Sequence, residues 1–248
     1  MADGWTGVDD APRRELEELS DRSMPGSLRH HIGAWIARAD RGVTGRANSA
    51  WPVGDPGRPV SIALDETEAW YRRHGRRPLV TVFDGAEPAL SAELDRRGYL
   101  TATGADVMIG AVTASGGDEP GGRWLVRVTE QPDAAITALV DDEPRLAELT
   151  TTALTQRFVT AWWADTLVGG GIGTLDGDWL GVFAMRTRPG WRRRGVAAAV
   201  LGSLADEAVT GGATRWWLQV TPDNDGARAL YRRVGFRTAH RYHYRAAP

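Results

Sequence analysis

The chain has 248 residues, a formal net charge of -2, a pI near 6.2 and no cysteine. That length suits one large domain or two small ones, and the near-neutral charge argues against a general binder of nucleic acid or anionic membrane. Disulfides, thiolate nucleophiles and cysteine-based metal sites are excluded, as is a helical membrane span, because no run approaches roughly 18 apolar residues.

The acidic start "MADGWTGVDDAPRRELEELSD" lacks the apolar segment of a secretory signal, so a cytoplasmic protein is expected. Strands are expected around "GAWIARAD" and "VTGRANSAW", the latter as a hairpin or strand, followed by a helix over "LDETEAWYRRHG". Within "VTGRANSAW", Arg46, Asn48 and Ser49 either line a substrate cleft or satisfy buried backbone. A strand "PLVTVFD", a helix "PALSAELDRRGY" and a strand "ATGADVMIGAV" complete the first half. The stretch Thr113 to Gly122, "TASGGDEPGG", has no large apolar residue and reads as a linker. The expected organisation is therefore 1–112, a 113–122 linker, and 123–248.

The second half opens with a strand "RWLVRVTE" and a helical region through "PRLAELTTTALT". Alternating and apolar runs broken by Asp-Thr and Asp-Gly predict an antiparallel meander over "RFVTAWWADTLVGGGIGTLDGDWLGVFAMRTR". A helix begins at Val196, then come a strand "TRWWLQV", a turn "TPDNDG", a helix "ARALYRRVGF" and a strand "RTAHRYHYR". "SAELDRRGYLTA" and "ARALYRRVGFRTA" look alike: each is a helix closed by a glycine, Gly98 or Gly235, placed for a left-handed cap before an aromatic. The fold class expected is α+β: two tandem units, each a mixed, mostly antiparallel sheet flanked by helices.

The stretch "RPGWRRRGVAAAVLGSLADEA", Arg188 to Ala208, carries the chemistry. Val196, Val200, Leu204 and Ala208, with Leu201 alongside, make one apolar stripe that packs the helix on a sheet. The first amides of such a helix lack intrahelical partners and carry about half a positive charge, so a tight loop before it forms an anion cradle. Gly195 admits a ligand close to the backbone, Ala197 keeps the turn free of bulk, and Arg192, Arg193 and Arg194 add forked donors. A Walker loop and a Rossmann G-x-G-x-x-G are both absent, and "DNDG" lacks the acidic spacing of a calcium loop. His240 and His243 are three apart on a strand and face opposite ways, which argues against a metal pair.

Arg192-x-x-Gly195-x-Ala197 resembles the pyrophosphate signature [QR]-x-x-G-x-[GA] of the GNAT N-acetyltransferases, and Asn224 with Tyr231 on the next strand–helix unit resembles that family's second block. The resemblance covers Arg123 to the end. It implies acetyl-coenzyme A as cosubstrate and no metal. Backbone groups near Met185 and Thr187 would pair with the pantetheine arm, and Arg192, Arg193, Arg194, Gly195, Val196, Ala197 and Ala198 would wrap the pyrophosphate. Asn224 would contact the arm, and Tyr231 would be the general acid. The activity implied is acetyl transfer to a primary amine of a small molecule or peptide, by a monomer or homodimer that binds neither nucleic acid nor membrane. Asp176, Asp178, a histidine or a water chain remain open as general base. Tyr231 on an apolar helix face, and Asn224 in a turn, equally suit a core aromatic and a cap. The first half lacks the phosphate loop and carries Leu94 and Asp95 near the tyrosine position. It resembles a degenerate copy, in a tandem layout similar to that of mycothiol synthase. A non-catalytic acyl-coenzyme A sensor built on the same site is the alternative.

Overall fold

The computed structural model describes residues 10–115 and 124–248. In chain order the elements are α1 (Asp10–Ser23), β1 (Leu28–Ile32), β2 (Trp35–Ala39), α2 (Val60–Arg73), β3 (Leu79–Phe83), α3 (Pro88–Arg96) and β4 (Leu100–Ala111). They continue with β5 (Leu125–Thr129), α4 (Ala134–Val140), α5 (Glu143–Leu149), β6 (Thr155–Trp163), β7 (Thr166–Asp176) and β8 (Trp179–Thr187). The last are α6 (Val196–Thr210), β9 (Arg215–Val220), α7 (Asp225–Arg233) and β10 (Arg237–Ala246). Short 3-10 turns lie at Arg46–Asn48 and Pro189–Trp191. The α+β class read from the sequence is the class observed, with a mostly antiparallel sheet.

The chain divides into two compact units. The first takes residues up to Val107 together with Val220–Asp223 and Thr238–Pro248. The second takes Met108–Gln219 and Asn224–Arg237. The units do not follow the two sequence halves, because β10 goes with the first: it pairs antiparallel with β3, Tyr242 opposite Phe83 and Ala246 opposite Leu79. The Gly-rich stretch expected as a linker lies mostly outside the described residues.

The first unit buries Leu64, Trp70 and Tyr71 of α2 against Val80 and Val82 of β3 and Leu90 and Leu94 of α3. The segment expected as the strand "VTGRANSAW" is instead a turn built on one side chain. Asn48 Oδ1 accepts the N–H groups of Asp40 (2.7 Å) and Gly42 (3.0 Å), and its Nδ2 donates to the Thr44 carbonyl (2.7 Å). Local side-chain bonds of this kind offer the backbone an alternative to a ladder. Ser49 Oγ meets Thr81 Oγ1 at 3.1 Å, so both residues satisfy neighbours within the unit.

In the second unit β5, β6, β7 and β8 form the antiparallel meander, and β8 pairs in parallel with β9 after the α6 crossover. The helical region expected through Thr155 is two short helices broken at Asp141. α5 ends at Leu149, and Thr155 already begins β6. β7 explains the run "GGGIG", whose glycines alternate faces as strand residues must. A Cβ on Gly169 would come 2.7 Å from Val196 Cγ1, and one on Gly173 would come 2.8 Å from Leu204 Cδ2, whereas one on Gly170 would meet Leu139 Cδ2 at 2.8 Å. Bare backbone on one face thus lets α6 lie close, and on the other α4. The α6 stripe Val196, Val200, Leu201, Leu204 and Ala208 is buried as read, and each large apolar side chain contributes about 1.5–3 kcal/mol.

The two look-alike helix ends are the same device. Tyr99 N–H donates to the Leu94 carbonyl at 3.0 Å, and Phe236 N–H to the Tyr231 carbonyl at 2.9 Å. Gly98 (φ 73°) and Gly235 (φ 94°) supply the left-handed residue that this closure requires.

Candidate active site

The site begins where β8 and β9 part. Their parallel register runs from Trp179 opposite Arg215 to Val182 opposite Leu218 and stops there, while β8 continues to Thr187. Just beyond that point a bulge interrupts the β7 pairing: Ile172 faces Phe183 and Gly170 faces Arg186, leaving two β8 residues against one. Ala184 sits in this bulge at φ 50°, a left-handed value. Among the described residues the backbone edge of Met185–Thr187 therefore has no strand partner on the β9 side, and Met185 and Thr187 line a cavity of about 1460 Å³.

The second wall is the loop before α6. The helix has no side-chain N-cap and no acid in its first turn, and its first intrahelical bond is Ala199 N–H to the Gly195 carbonyl. The amides of Val196, Ala197 and Ala198 therefore stand without helical partners at the positive end of the helix dipole. All three residues line the cavity with Gly195, Arg192 and Arg193. Gly195 has φ 89° and Arg193 φ 58°, so the loop is sharply curled around those donors. Arg194 does not line the cavity. Its guanidinium lies over the Trp191 ring, 5.3 Å from the centroid.

The third wall is α7. Asn224 is both a cap and a cavity residue: its Oδ1 accepts Ala227 N–H at 3.2 Å, and the residue lines the cavity. Tyr231 lines the same cavity and is 7% exposed. Burial alone pushes its phenol up to about 12. The structure thus brings together every residue expected at the site except Arg194.

Four charged lining residues were not singled out by sequence. Arg186, Arg188 and Arg233 join Arg192 and Arg193, and among the described residues none of these five guanidinium groups is ion-paired. Several arginines elsewhere are held by carboxylates, Arg97 by Asp65, Glu68 and Glu93 together. Five open forks around one cavity suit an anion carrying several phosphate oxygens. Asp141 is the one carboxylate among the lining residues; it sits at φ 49° where α4 ends. Its neighbours Asp133 and Asp142 are spent on helix caps, accepting from Ile136 and Arg145 N–H. The spacing of a lone Asp gives no sequence signal for this.

Other expectations land elsewhere. Asp176 and Asp178 lie at the turn that begins β8, the opposite end of that strand from Thr187, and at about 3.3 Å per residue that is far from the cavity. Asp178 is held by Arg215 at 2.9 Å, and this bond keeps its carboxyl below the usual range. His240 Nε2 meets Glu17 Oε1 at 2.6 Å and His243 Nδ1 meets Asp84 Oδ1 at 3.0 Å, two separate pairs in the first unit. Among the described residues no three His, Asp or Glu side chains gather as a metal site, and no helix is long and apolar enough to cross a membrane.

The family model described as "Probable histone acetyltransferase Rv0428c C-terminal" matches residues 11–245. Among known proteins, the chain is 26% identical over 246 residues to the uncharacterized N-acetyltransferase YobR of Bacillus subtilis, covering 94% of this chain and 97% of that one. It is 29% identical over 241 residues to a probable histone acetyltransferase of Mycobacterium tuberculosis, Rv0428c, covering 93% of this chain and 72% of that one. A GCN5-related N-acetyltransferase from Kribbella flavida has the same fold, with a TM-score of 0.74 at 19% identity over 98% of this chain and 97% of that one. A tandem GNAT protein from the clavulanic acid biosynthesis pathway superposes with a TM-score of 0.61 at 13% identity, covering 98% of this chain and 90% of that one. A match over nearly the whole chain, on a fold whose parted strands and curled loop form one cavity, settles the family: the chain belongs to the Rv0428c C-terminal acetyltransferase family and is an acetyltransferase of the GNAT superfamily.

Proposed function

We propose that this chain transfers the acetyl group of acetyl-coenzyme A to a primary amine of a small molecule or peptide. The observation that carries this reading is the set of five guanidinium groups with no ion pair among the described residues and the uncapped α6 N-terminus, which line the same cavity as Tyr231. The donor set fits the cosubstrate: backbone amides of Val196–Ala198 with Arg192 and Arg193 for the pyrophosphate, the edge of Met185–Thr187 for the amide-bearing arm, and Asn224 beside it. The second unit contains this whole set. In the first unit α2 follows Pro59, with no Arg-x-x-Gly-x-Gly/Ala loop before it, which supports reading that unit as a copy that takes no coenzyme.

Bound coenzyme supplies a thioester carbon for the amine to attack. As the C–N bond forms and the C–S bond breaks, the sulfur takes the electron pair and a proton from Tyr231, and the proton that the attacking nitrogen sheds passes through solvent to restore the phenol. Reference values of about 10 for a phenol and about 8.5 for a thiol put the transfer to sulfur slightly uphill, and burial of Tyr231 makes it steeper. The same burial raises the basicity of a thiolate in the cavity, so the two shifts oppose each other. Fixing the two reactants together and orienting the carbonyl contributes more than this single proton. Asp141 gives an incoming ammonium its counter-charge at a rim otherwise lined by arginines. A thiol-release assay across small amines and lysine peptides tests the reading. Release with at least one amine, abolished when the coenzyme is omitted, supports it, and no release with any acceptor contradicts it.

A further inference from the structure

Three tryptophans gather beside the anion loop. Trp191 closes the 3-10 turn at the head of the loop, Trp124 immediately precedes β5, and Trp163 ends β6. Their ring centroids are 5.7 Å (Trp124–Trp163), 5.8 Å (Trp124–Trp191) and 6.0 Å (Trp163–Trp191) apart, a closed triangle at ordinary aromatic contact. Two loop residues lean on it. Arg194 stacks over Trp191, and a Cβ on Gly195 would come 3.8 Å from Trp124 Nε1. Just before them the backbone is strained: Arg193, a residue with a side chain, holds φ 58°, at a cost of roughly 1 kcal/mol. Such a conformation persists only where its surroundings over-determine it. No side chain caps α6 here, and the side chains that meet the curl at Arg194 and Gly195 are those of the aromatic wall.

We propose that Trp124, Trp163 and Trp191 are positioning residues for the anion loop, with Arg194 as a stacked pin. They keep the amides of Val196–Ala198 converged before the ligand arrives. This inference rests on the coenzyme A reading above. A loop already in its bound shape loses less freedom on binding, so the wall governs coenzyme affinity and leaves the chemical step alone. It also divides the three consecutive arginines. Arg192 and Arg193 face the anion, and Arg194 acts on it through the loop.

A double-mutant cycle on the full chain tests this, with coenzyme A affinity read by calorimetry at fixed salt. Turnover is read with the best acceptor from an amine panel. W191A is expected to weaken coenzyme A binding about tenfold and R194A about threefold, with W191A/R194A no weaker than W191A alone, because both remove one contact. The kcat of each stays within about twofold, and W191F recovers most of the affinity because a phenyl ring still stacks on the guanidinium. Should W191A fail to fold by circular dichroism, W163L, at a residue 41% exposed, is read alone, and weaker coenzyme A binding with kcat kept within about twofold is expected. Additive losses, unchanged affinity in W191A, or a fall in kcat at constant KM would overturn the positioning role. Failure of the unaltered chain to bind coenzyme A is a different result, and it removes the coenzyme reading itself.

Discussion

The Tyr231 ring meets Phe236 edge to face, centroids 5.7 Å apart, and the Phe236 N–H closes the helix on the Tyr231 carbonyl. Phe236 in turn stacks on Trp216 at 4.5 Å. The tyrosine is thus fixed by its ring and backbone, and its hydroxyl carries no part of the packing. Y231F is expected to keep the fold and to keep coenzyme A affinity within about twofold, while lowering kcat about 10²-fold, the usual range for one general acid. Equal kcat in Y231F, measured by thiol release, would reduce Tyr231 to a core aromatic.

The pH profile follows from the same burial. With its phenol pushed up to about 12, Tyr231 stays protonated through the working range, and the acid is lost only as pH climbs towards that value. The rate with a simple amine should rise as the acceptor deprotonates and show no basic limb below about pH 10. A basic limb near pH 8 that vanishes in Y231F would contradict this placement.

Gly195 combines φ 89° with a position on the cavity wall. G195E puts a side chain in a left-handed residue and a negative charge among phosphate-facing donors. Loss of coenzyme A binding by at least about 10²-fold is expected in calorimetry; retained micromolar binding would sink the loop assignment.

Asp141 tests the acceptor side. D141N should raise KM for a cationic amine several-fold, about 1 kcal/mol, with coenzyme A affinity unchanged or slightly tighter, because a negative charge leaves an arginine-lined cavity. An unchanged acceptor KM removes Asp141 from acceptor binding.

The close seating of α6 on β7 predicts a purely structural cost. In G173V the new side chain starts 2.8 Å from Leu204 Cδ2 and 3.0 Å from Leu180 Cδ1, so the helix or the strand must move. Overpacking of this kind costs about 1–3 kcal/mol, read as a lowered Tm. An unshifted Tm would mean that α6 has room the contacts deny.

Much of this fold lies in local signals. The α6 stripe, the meander breaks and the paired Gly98 and Gly235 closures are short-range patterns, and each formed where the pattern stood. The spacing from Arg192 to Ala197 and from Asn224 to Tyr231 likewise brought distant blocks to one cavity. Other features depend on partners far along the chain. β10 pairs with β3 across some 160 residues of sequence, so no local pattern separates it from the unit that precedes it. The segment around Asn48 has strand-forming neighbours, but one amide side chain captures three backbone groups and makes it a turn. The run "GGGIG" resembles a loop by composition, yet its glycines are strand positions cleared for helices on both faces. Arg186, Arg188 and Arg233 are three arginines among 30 basic residues, and only the fold shows that they stand around one cavity with no ion pair among the described residues.

Titration calorimetry of the unaltered chain with acetyl-coenzyme A is the most direct test of the central claim. Micromolar binding at one site per chain is expected, weakening as salt is raised, because the proposed site adds exposed guanidinium groups to the α6 amides. No binding, or binding indifferent to salt, would contradict a coenzyme held by the loop before α6.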